Sequence, residues 1–297
     1  MSSMRAVVLA YSNVGVRCLR VLHARGFDVT QVVTHRDDPK ENRWFSSVAE
    51  TAVELGLPVA YAEDFAPGQL RARLSTLRPD YLFSFYYRHM LPPDMLATAR
   101  VESLNMHGSL LPKYRGRAPV NWAVLHGETE TGATLHVMEP KPDAGDIVAQ
   151  MAVPILPDDT AREVFDKVTV AAETILWQVA PELLAGRVPR RPNDVAHGSY
   201  FGGRRPEDGR IDWTKPAHEI YNLVRAVAPP YPGAFTDLAG RRVVIAKARR
   251  IAGHRPGPAG LKQDGAELLG VAGDGGLLRI DAVLVDGRPV ALNELHF

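Results

Sequence analysis

The sequence predicts an α/β fold: a Rossmann-like, doubly wound, mainly parallel sheet followed by a small C-terminal β-barrel (OB-like) domain. Three observations carry that prediction. Short apolar runs alternate with amphipathic segments over the first half of the chain, a long amphipathic stretch follows from Asp159-Thr160 to about Leu184, and beyond Phe235 only short β-rich pieces remain between Gly and Pro. The expected division is a first domain over 1–188, a linker over 189–210 and a second domain over 211–297.

Arg5 to Tyr11 is a short apolar run suited to a fully buried parallel strand. Ser12 or Asn13 is expected to cap the helix that follows to about Ala24, with Gly26 closing it. Asp28 to Thr34 reads as a second strand, Trp44 to Leu55 as a helix ended by Gly56 and Pro58, and Pro58 to Tyr61 as a short strand. Gly68 to Leu77 then reads as a helix and Tyr81 to Tyr86 as another buried strand. This alternation is what places helices on both faces of one sheet. Val101 to Leu104 feeds a further extended segment, and Pro119 to Leu125 is helical, Pro being tolerated in the first turn. Gly132 to Val137 alternates as a strand, Glu139-Pro-Lys-Pro-Asp-Ala-Gly-Asp146 makes an irregular loop, and Ile147 to Ile155 is a strand. In the long helix Val164, Val168, Ala171, Ile175 and Val179 recur at helical spacing. Gly186 to Arg210, rich in Arg, Pro, Gly and Asn, reads as a linker or surface-wrapping segment. Ile211 to Val227 carries one more helix. Arg242–Ala246, Leu268–Val271 and Leu277–Leu284 supply the terminal β domain.

Composition excludes several classes. The 297 residues are 45% apolar and 23% charged, as in ordinary globular proteins. Their 35 cations against 34 anions leave a net charge of +1, so no global field draws the chain to nucleic acid. The single cysteine, Cys18, excludes an internal disulfide and a Cys-based metal cluster. Set among Val16, Leu19 and Val21, it is expected to be a buried, inert thiol. No apolar run approaches the roughly 18–20 residues of a membrane span. The N-terminus enters a strand directly, without an export signal, so no membrane insertion and a cytoplasmic location are the expectations. The first strand–helix turn, Tyr11-Ser-Asn-Val-Gly15, lacks Gly-x-Gly-x-x-Gly, which argues against a nicotinamide cofactor.

The chemistry concentrates in Ser103-Leu-Asn-Met-His-Gly-Ser-Leu-Leu-Pro-Lys-Tyr-Arg-Gly-Arg-Ala-Pro119. Asn105 and His107 lie two apart, so on a strand their side chains share a face. An amide and a titratable imidazole then project where the strand ends, and in open α/β sheets ligands bind at that end. Asp143, in the Pro-rich loop, adds a carboxylate; close to an imidazole it favours the charged form and fixes the tautomer. Such a set contains no nucleophile. It suits transfer between two bound substrates, in which one supplies the nucleophile and the protein stabilises an oxyanion. No metal is expected, because His-x-x-x-His and Cys-x-x-Cys frames are absent. His23, His126 and His136 read as structural. Lys113, Arg115 and Arg117 form a basic patch that an RNA would also suit.

Asn105-Met-His-Gly-Ser-Leu-Leu-Pro112, followed by Asp143-Ala-Gly-Asp-Ile147, resembles the signature of the folate-dependent formyltransferases. That family includes methionyl-tRNA, glycinamide ribonucleotide and sugar-nucleotide N-formyltransferases. Phe83 to His89, Lys113 to Pro119, Gly127 to Gly132, Phe201 to Pro206 and Arg225 to Ala234 extend the likeness from residue 4 to about 250. Within the family the pattern is most similar to domains that formylate UDP-4-amino-4-deoxy-L-arabinose in lipid A modification and polymyxin resistance.

The resemblance implies transfer of formyl from N10-formyltetrahydrofolate to the amino group of a nucleotide-linked amino sugar. UDP-4-amino-4-deoxy-L-arabinose is the expected acceptor, with a dTDP-amino sugar or methionyl-tRNA as alternatives. Asn105 and protonated His107 would stabilise the tetrahedral oxyanion, His107 would then protonate the departing folate nitrogen, and Asp143 would hold His107 charged. Folate contacts map onto His89, Met90 and Leu91, then Arg117, then Glu139, Pro140, Lys141 and Pro142. For the acceptor, Arg204 and Arg205 match a diphosphate, against the plainer reading of a solvated linker. Tyr231 would form a wall beside sugar or uracil, against the plainer reading of a packing turn. The near-zero charge and the short segment His35 to Phe45 favour the sugar over tRNA. Nothing in the sequence argues for or against a homo-oligomer. The bifunctional relatives also carry an oxidative domain that these 297 residues lack, so a separate protein is expected to perform that step.

Overall fold

The apolar runs become strands because each is flanked by a turn and followed by a helix able to cover it. The computed structural model describes residues 3–39 and 42–295; Lys40 and Glu41, inside the 35–45 segment weighed above, lie outside the described residues. In chain order come β1 (Arg5–Ala10), α1 (Ser12–Ala24), β2 (Asp28–Thr34), α2 (Val48–Glu54) and β3 (Val59–Tyr61). Next are α3 (Gln69–Leu77), β4 (Tyr81–Phe85), α4 (Pro93–Leu96), β5 (Glu102–His107), β6 (Arg115–Gly116) and α5 (Pro119–Leu125). Then follow β7 (Glu130–Val137), β8 (Ile147–Pro154), α6 (Ala161–Leu184), β9 (Tyr200–Phe201) and α7 (Ala217–Val227). The last strands are β10 (Ala234–Leu238), β11 (Arg241–His254), β12 (Gly260–Asp264), β13 (Glu267–Val271), β14 (Gly276–Val285) and β15 (Arg288–Val290).

The first sheet has the order β3-β2-β1-β4-β5-β7-β8. The pairs from β3 to β5 are parallel and β7 runs antiparallel to β5, so the sheet is mainly parallel and doubly wound, as expected. Its centre is dry: Val7, Leu9, Leu82, Phe83, Phe85 and Leu104 are inaccessible to solvent. The predicted stripe of the long helix is buried too, with Val164, Val168, Ala171, Ile175 and Val179 all inside. Cys18 is buried, and that burial pushes its thiol far above the ordinary range. The second sheet is antiparallel, β10-β11-β14-β13-β12, with β15 on β14. Register shifts along the 14-residue β11 curl it into the barrel-like form expected. No helix among the described residues is long and apolar enough to cross a membrane.

Packing divides the chain into two units, Met1–Gly116, Thr131–Val153 and Asp166–Phe201 on one side, and Arg117–Glu130, Pro154–Phe165 and Gly202–Phe297 on the other. The short inserts join the second unit through specific bonds. Asn121 on α5 donates to the Ala226 carbonyl at 2.7 Å, and buried Arg225 donates to the carbonyls of Asp159 and Val124.

Several local expectations differ from the structure. The helix expected from Trp44 begins only at Val48, because the Ser47 hydroxyl accepts from the Glu50 N–H and caps it there. Neither Ser12 nor Asn13 caps α1: Tyr11 holds that position without capping the helix through its side chain, and the Asn13 side chain accepts from the Ser46 N–H instead. The one-turn helix α4 was not expected. The segment read as a linker contains β9, which pairs in parallel with β6.

Candidate active site

Strand β5 is the last parallel strand, and its neighbours on either side, β4 and β7, position its end. Ser84 of β4 lies beside Asn105, while across the antiparallel pair Asn105 faces His136 and His107 faces Thr134. His107 ends the strand and is 6% exposed; His136 is 2% exposed.

The loop after β5 is tied down by side chains rather than by secondary structure. The Thr134 hydroxyl donates to the Ser109 carbonyl at 2.6 Å, and the Ser109 hydroxyl donates to the Lys113 carbonyl at 2.6 Å. The Leu111 carbonyl accepts from the Gln150 amide at 3.0 Å. Tyr114 donates its N–H to the Ser199 hydroxyl and stacks its ring on Phe201, 5.3 Å between centroids. Gly116 follows at φ +96°, where a Cβ would stand 2.1 Å from the Phe201 carbonyl oxygen. Only glycine fits there.

Asp143 joins these pieces. It adopts the left-handed region at φ +49°, tolerable for Asp, and its loop is held by the Asn193 amide donating to the Asp143 and Gly145 carbonyls. One carboxylate oxygen, Oδ1, lies 3.6 Å from His107 Nδ1, 3.4 Å from His136 Nε2 and 3.5 Å from Asn105 Nδ2. The other, Oδ2, accepts the Gly116 N–H at 2.8 Å. Burial opposes ionisation of this carboxyl, but His107, His136 and the Gly116 N–H together outweigh it and hold the group well below the usual carboxylate range. A carboxylate kept ionised while 13% exposed is a fixed negative charge at the edge of a buried cluster.

The structure therefore brings Asn105, His107 and Asp143 together. It also engages His107 more fully than the sequence suggests. Its Nε2 lies 2.7 Å from the Tyr114 carbonyl, which can only accept, so this nitrogen carries a hydrogen. With Nδ1 turned to Asp143, both ring nitrogens face protein groups, and a proton handed to a ligand from Nε2 must first leave that carbonyl. His136, read above as structural, belongs to this cluster: its Nε2 lies 3.0 Å from Asn105 Nδ2. The only signal for it in the sequence is a histidine inside an apolar strand, and strand register is needed to aim it. Asn193 and the Gly116 N–H carried no sequence signal.

The residues assigned to folate separate by environment. His89 is exposed, its ring edge-on to His35 at 4.7 Å, and Met90 is 63% exposed. Leu91 packs in the core with Val7, Leu9, Val33, Leu74 and Leu82, so what it can offer a ligand is its backbone. Glu139, Pro140 and Lys141 are exposed and Pro142 partly so. Arg117, Arg204, Arg205 and Tyr231 belong to the second unit. There the Arg204 guanidinium sits 4.8 Å from the Trp122 ring centroid and donates to the Asp208 carbonyl at 3.0 Å. Burial lowers its pKa against the opposing charge of Asp208. Arg205 is exposed.

Comparison with known proteins agrees with this architecture. Residues 4–180 match the family model described as formyl transferase, and residues 204–295 match that described as formyl transferase, C-terminal domain. A crystal structure of WlaRD, a sugar 3N-formyl transferase with dTDP and 5-N-formyl-THF, superposes at TM-score 0.74 and 19% identity, covering 97% of this chain and all 100% of that one. An N-formyltransferase from Helicobacter canadensis, in complex with folinic acid and dTDP-3-aminofucose, gives 0.75 and 20%, covering 94% and 99%. A 4-N formyltransferase from Francisella tularensis gives 0.66 and 21%, covering 82% and 97%. The structural likenesses speak to the fold. The match of the family models shows the family: the chain belongs to the formyl transferases.

Proposed function

We propose that this formyl transferase moves a formyl group from N10-formyltetrahydrofolate to the amino group of a nucleotide-linked amino sugar, with UDP-4-amino-4-deoxy-L-arabinose as the acceptor of first choice. The observation that carries the reading is the convergence of Asn105, His107 and His136 on one ionised oxygen of Asp143. The neutral amine attacks the formyl carbon, forming a C–N bond and placing negative charge on the former carbonyl oxygen. Asn105 faces that oxygen as a donor, and His107 joins it when its Nε2 turns from the Tyr114 carbonyl; each such donor is worth about 3–4 kcal/mol of barrier. Collapse breaks the bond to the folate nitrogen, which takes a proton from His107 Nε2 once that N–H has left the Tyr114 carbonyl, while the proton lost by the amine passes to Asp143. His89, Met90, the Leu91 backbone, Arg117 and the loop Glu139 to Pro142 take the folate. Arg204 and Arg205 take the diphosphate, and Tyr231 flanks the sugar or base.

A dTDP-amino sugar is the second reading, favoured by the two solved relatives bound to dTDP or dTDP-3-aminofucose. A mass-spectrometric acceptor screen separates them. The protein and N10-formyltetrahydrofolate are mixed separately with UDP-4-amino-4-deoxy-L-arabinose, dTDP-3-amino and dTDP-4-amino sugars, and methionyl-tRNA. Formylated UDP-pentose is expected, and its product would place the protein in lipid A modification. Product with a dTDP sugar alone selects the second reading. Product with the tRNA alone, or with no amine, overturns both.

A further inference from the structure

We propose that His136 is a positioning residue for the transfer, holding the side-chain amide of Asn105 in one orientation at the end of β5. The inference rests on the reading that Asn105, His107 and Asp143 carry the reaction. His136 stands directly across the β5–β7 pair from Asn105. Its Nδ1 lies 2.7 Å from the Val137 carbonyl, which only accepts, so that nitrogen is an N–H donor. This bond fixes the ring and aims the opposite nitrogen, Nε2, at Asn105 Nδ2, 3.0 Å away.

An amide has two unlike ends. A neutral Nε2 accepts only from the nitrogen end, whereas a ring protonated at both nitrogens would hold the amide by its oxygen. In either state the ring admits one orientation of Asn105. In the arrangement seen, Asn105 Nδ2 lies 3.0 Å from His136 Nε2 and makes a long, 3.5 Å approach to Asp143 Oδ1; with one hydrogen held by the ring, the other can turn from that long contact to a developing oxyanion. Without the ring only the long, 3.5 Å approach to Asp143 Oδ1 opposes a turn of the amide that would present its oxygen to negative charge. His136 thus acts through the groups it holds, Asn105 above all, and its Nε2 also lies 3.4 Å from Asp143 Oδ1.

Two substitutions divide the ring into its halves. His136→Asn keeps an amide N–H for the Val137 carbonyl and deletes the Nε2 end, whereas His136→Gln places a polar group where Nε2 stands. Steady-state assays with N10-formyltetrahydrofolate and the amino-sugar nucleotide are expected to show kcat of His136→Asn reduced about 10- to 100-fold, the scale of other supporting-shell losses. KM for the formyl donor should stay within about threefold, and His136→Gln should hold kcat within about fivefold of wild type. In an Asn105→Ala background His136→Asn should cost much less than in the wild type, the remainder being what the ring contributes at Asp143. Equal losses in the Asn and Gln variants, wild-type kcat in His136→Asn, or a loss repeated in full without Asn105, overturns the proposal. Should His136→Asn fail to fold, hydrogen exchange of the Asn105 side-chain amide in the wild-type protein decides. Exchange slowed at least about tenfold against an exposed Asn is expected; exchange at the exposed rate overturns it. Substantial turnover in His107→Ala would instead bring down the reading of the site itself.

Discussion

Carboxylates meet cations in two very different ways in this molecule. At the end of β5, Asp143 is 13% exposed and shares one oxygen among His107, His136 and Asn105. In the second unit, Asp286 lies 3.0 Å from Arg241 and Asp237 lies 2.7 Å from Arg210, closer than any of the Asp143 charge contacts, yet these side chains are at least half exposed. Distance alone would rank the surface pairs as stronger. Burial reverses the ranking, because water and salt screen the exposed pairs while the cluster's charges act on one another through protein. An ionised carboxylate acts most strongly on its neighbours where solvent cannot screen it.

The largest expected effect tests that contrast at its buried end. His107→Ala and Asp143→Ala should each keep the fold but lower kcat by about 10³-fold or more, checked by product formation alongside thermal unfolding. The Asp143 carboxyl is depressed in the folded state, so its stabilising contribution is complete above the ordinary carboxylate value of about 4 and is lost as the pH falls below it. The stability difference between wild type and Asp143→Asn should accordingly shrink on acidification, followed by urea unfolding at a series of pH values. A difference independent of pH would remove the electrostatic account.

Gly116→Ala comes next. The added Cβ collides with the Phe201 carbonyl oxygen at a backbone angle that disfavours side chains, and the displaced N–H is the one held by Asp143 Oδ2. A loss of about 2–3 kcal/mol in denaturant unfolding is expected, together with lowered kcat. Arg205→Ala, at an exposed position, should raise KM for the sugar nucleotide about tenfold while leaving kcat and the formyl-donor KM within about twofold. Unchanged acceptor KM would return Arg205 to the plain reading of a solvated surface. The smallest effect sits at the other pole of the comparison: Arg241→Ala should leave the melting temperature and turnover unchanged in 0.5 M salt, roughly the regime in which exposed pairs are fully screened. A clear drop in melting temperature would blur the distinction between the two regions.

Much of the fold was legible because hydrophobic periodicity is a local property. The runs Ala6 to Ala10 and Tyr81 to Phe85 are strands, and the stripe from Val164 to Val179 is a buried helix face, since each pattern admits few other partners for its apolar side chains. Boundaries were less legible. Ser47 shortens the second helix by competing for its first N–H groups, a choice that Trp44 and Phe45 do not advertise. The pair β6–β9 was invisible because two residues on each strand leave no periodicity to detect.

The sequence by itself determined the chemistry available at the site. Asn105 and His107, two apart before a Pro- and Gly-rich loop, had to share one face of a strand end, and Asp143 lay in a loop able to reach them. The convergence of Asp143 with His136 and the Gly116 N–H was decided only by the tertiary structure. So were the seating of His107 Nε2 on the Tyr114 carbonyl and the retention of the Asp143 loop by Asn193. The physical reason is register. An i, i+2 relation is built into every strand, whereas which residue stands opposite Asn105 depends on how two strands distant in sequence align, and that alignment is set by the burial of the whole sheet.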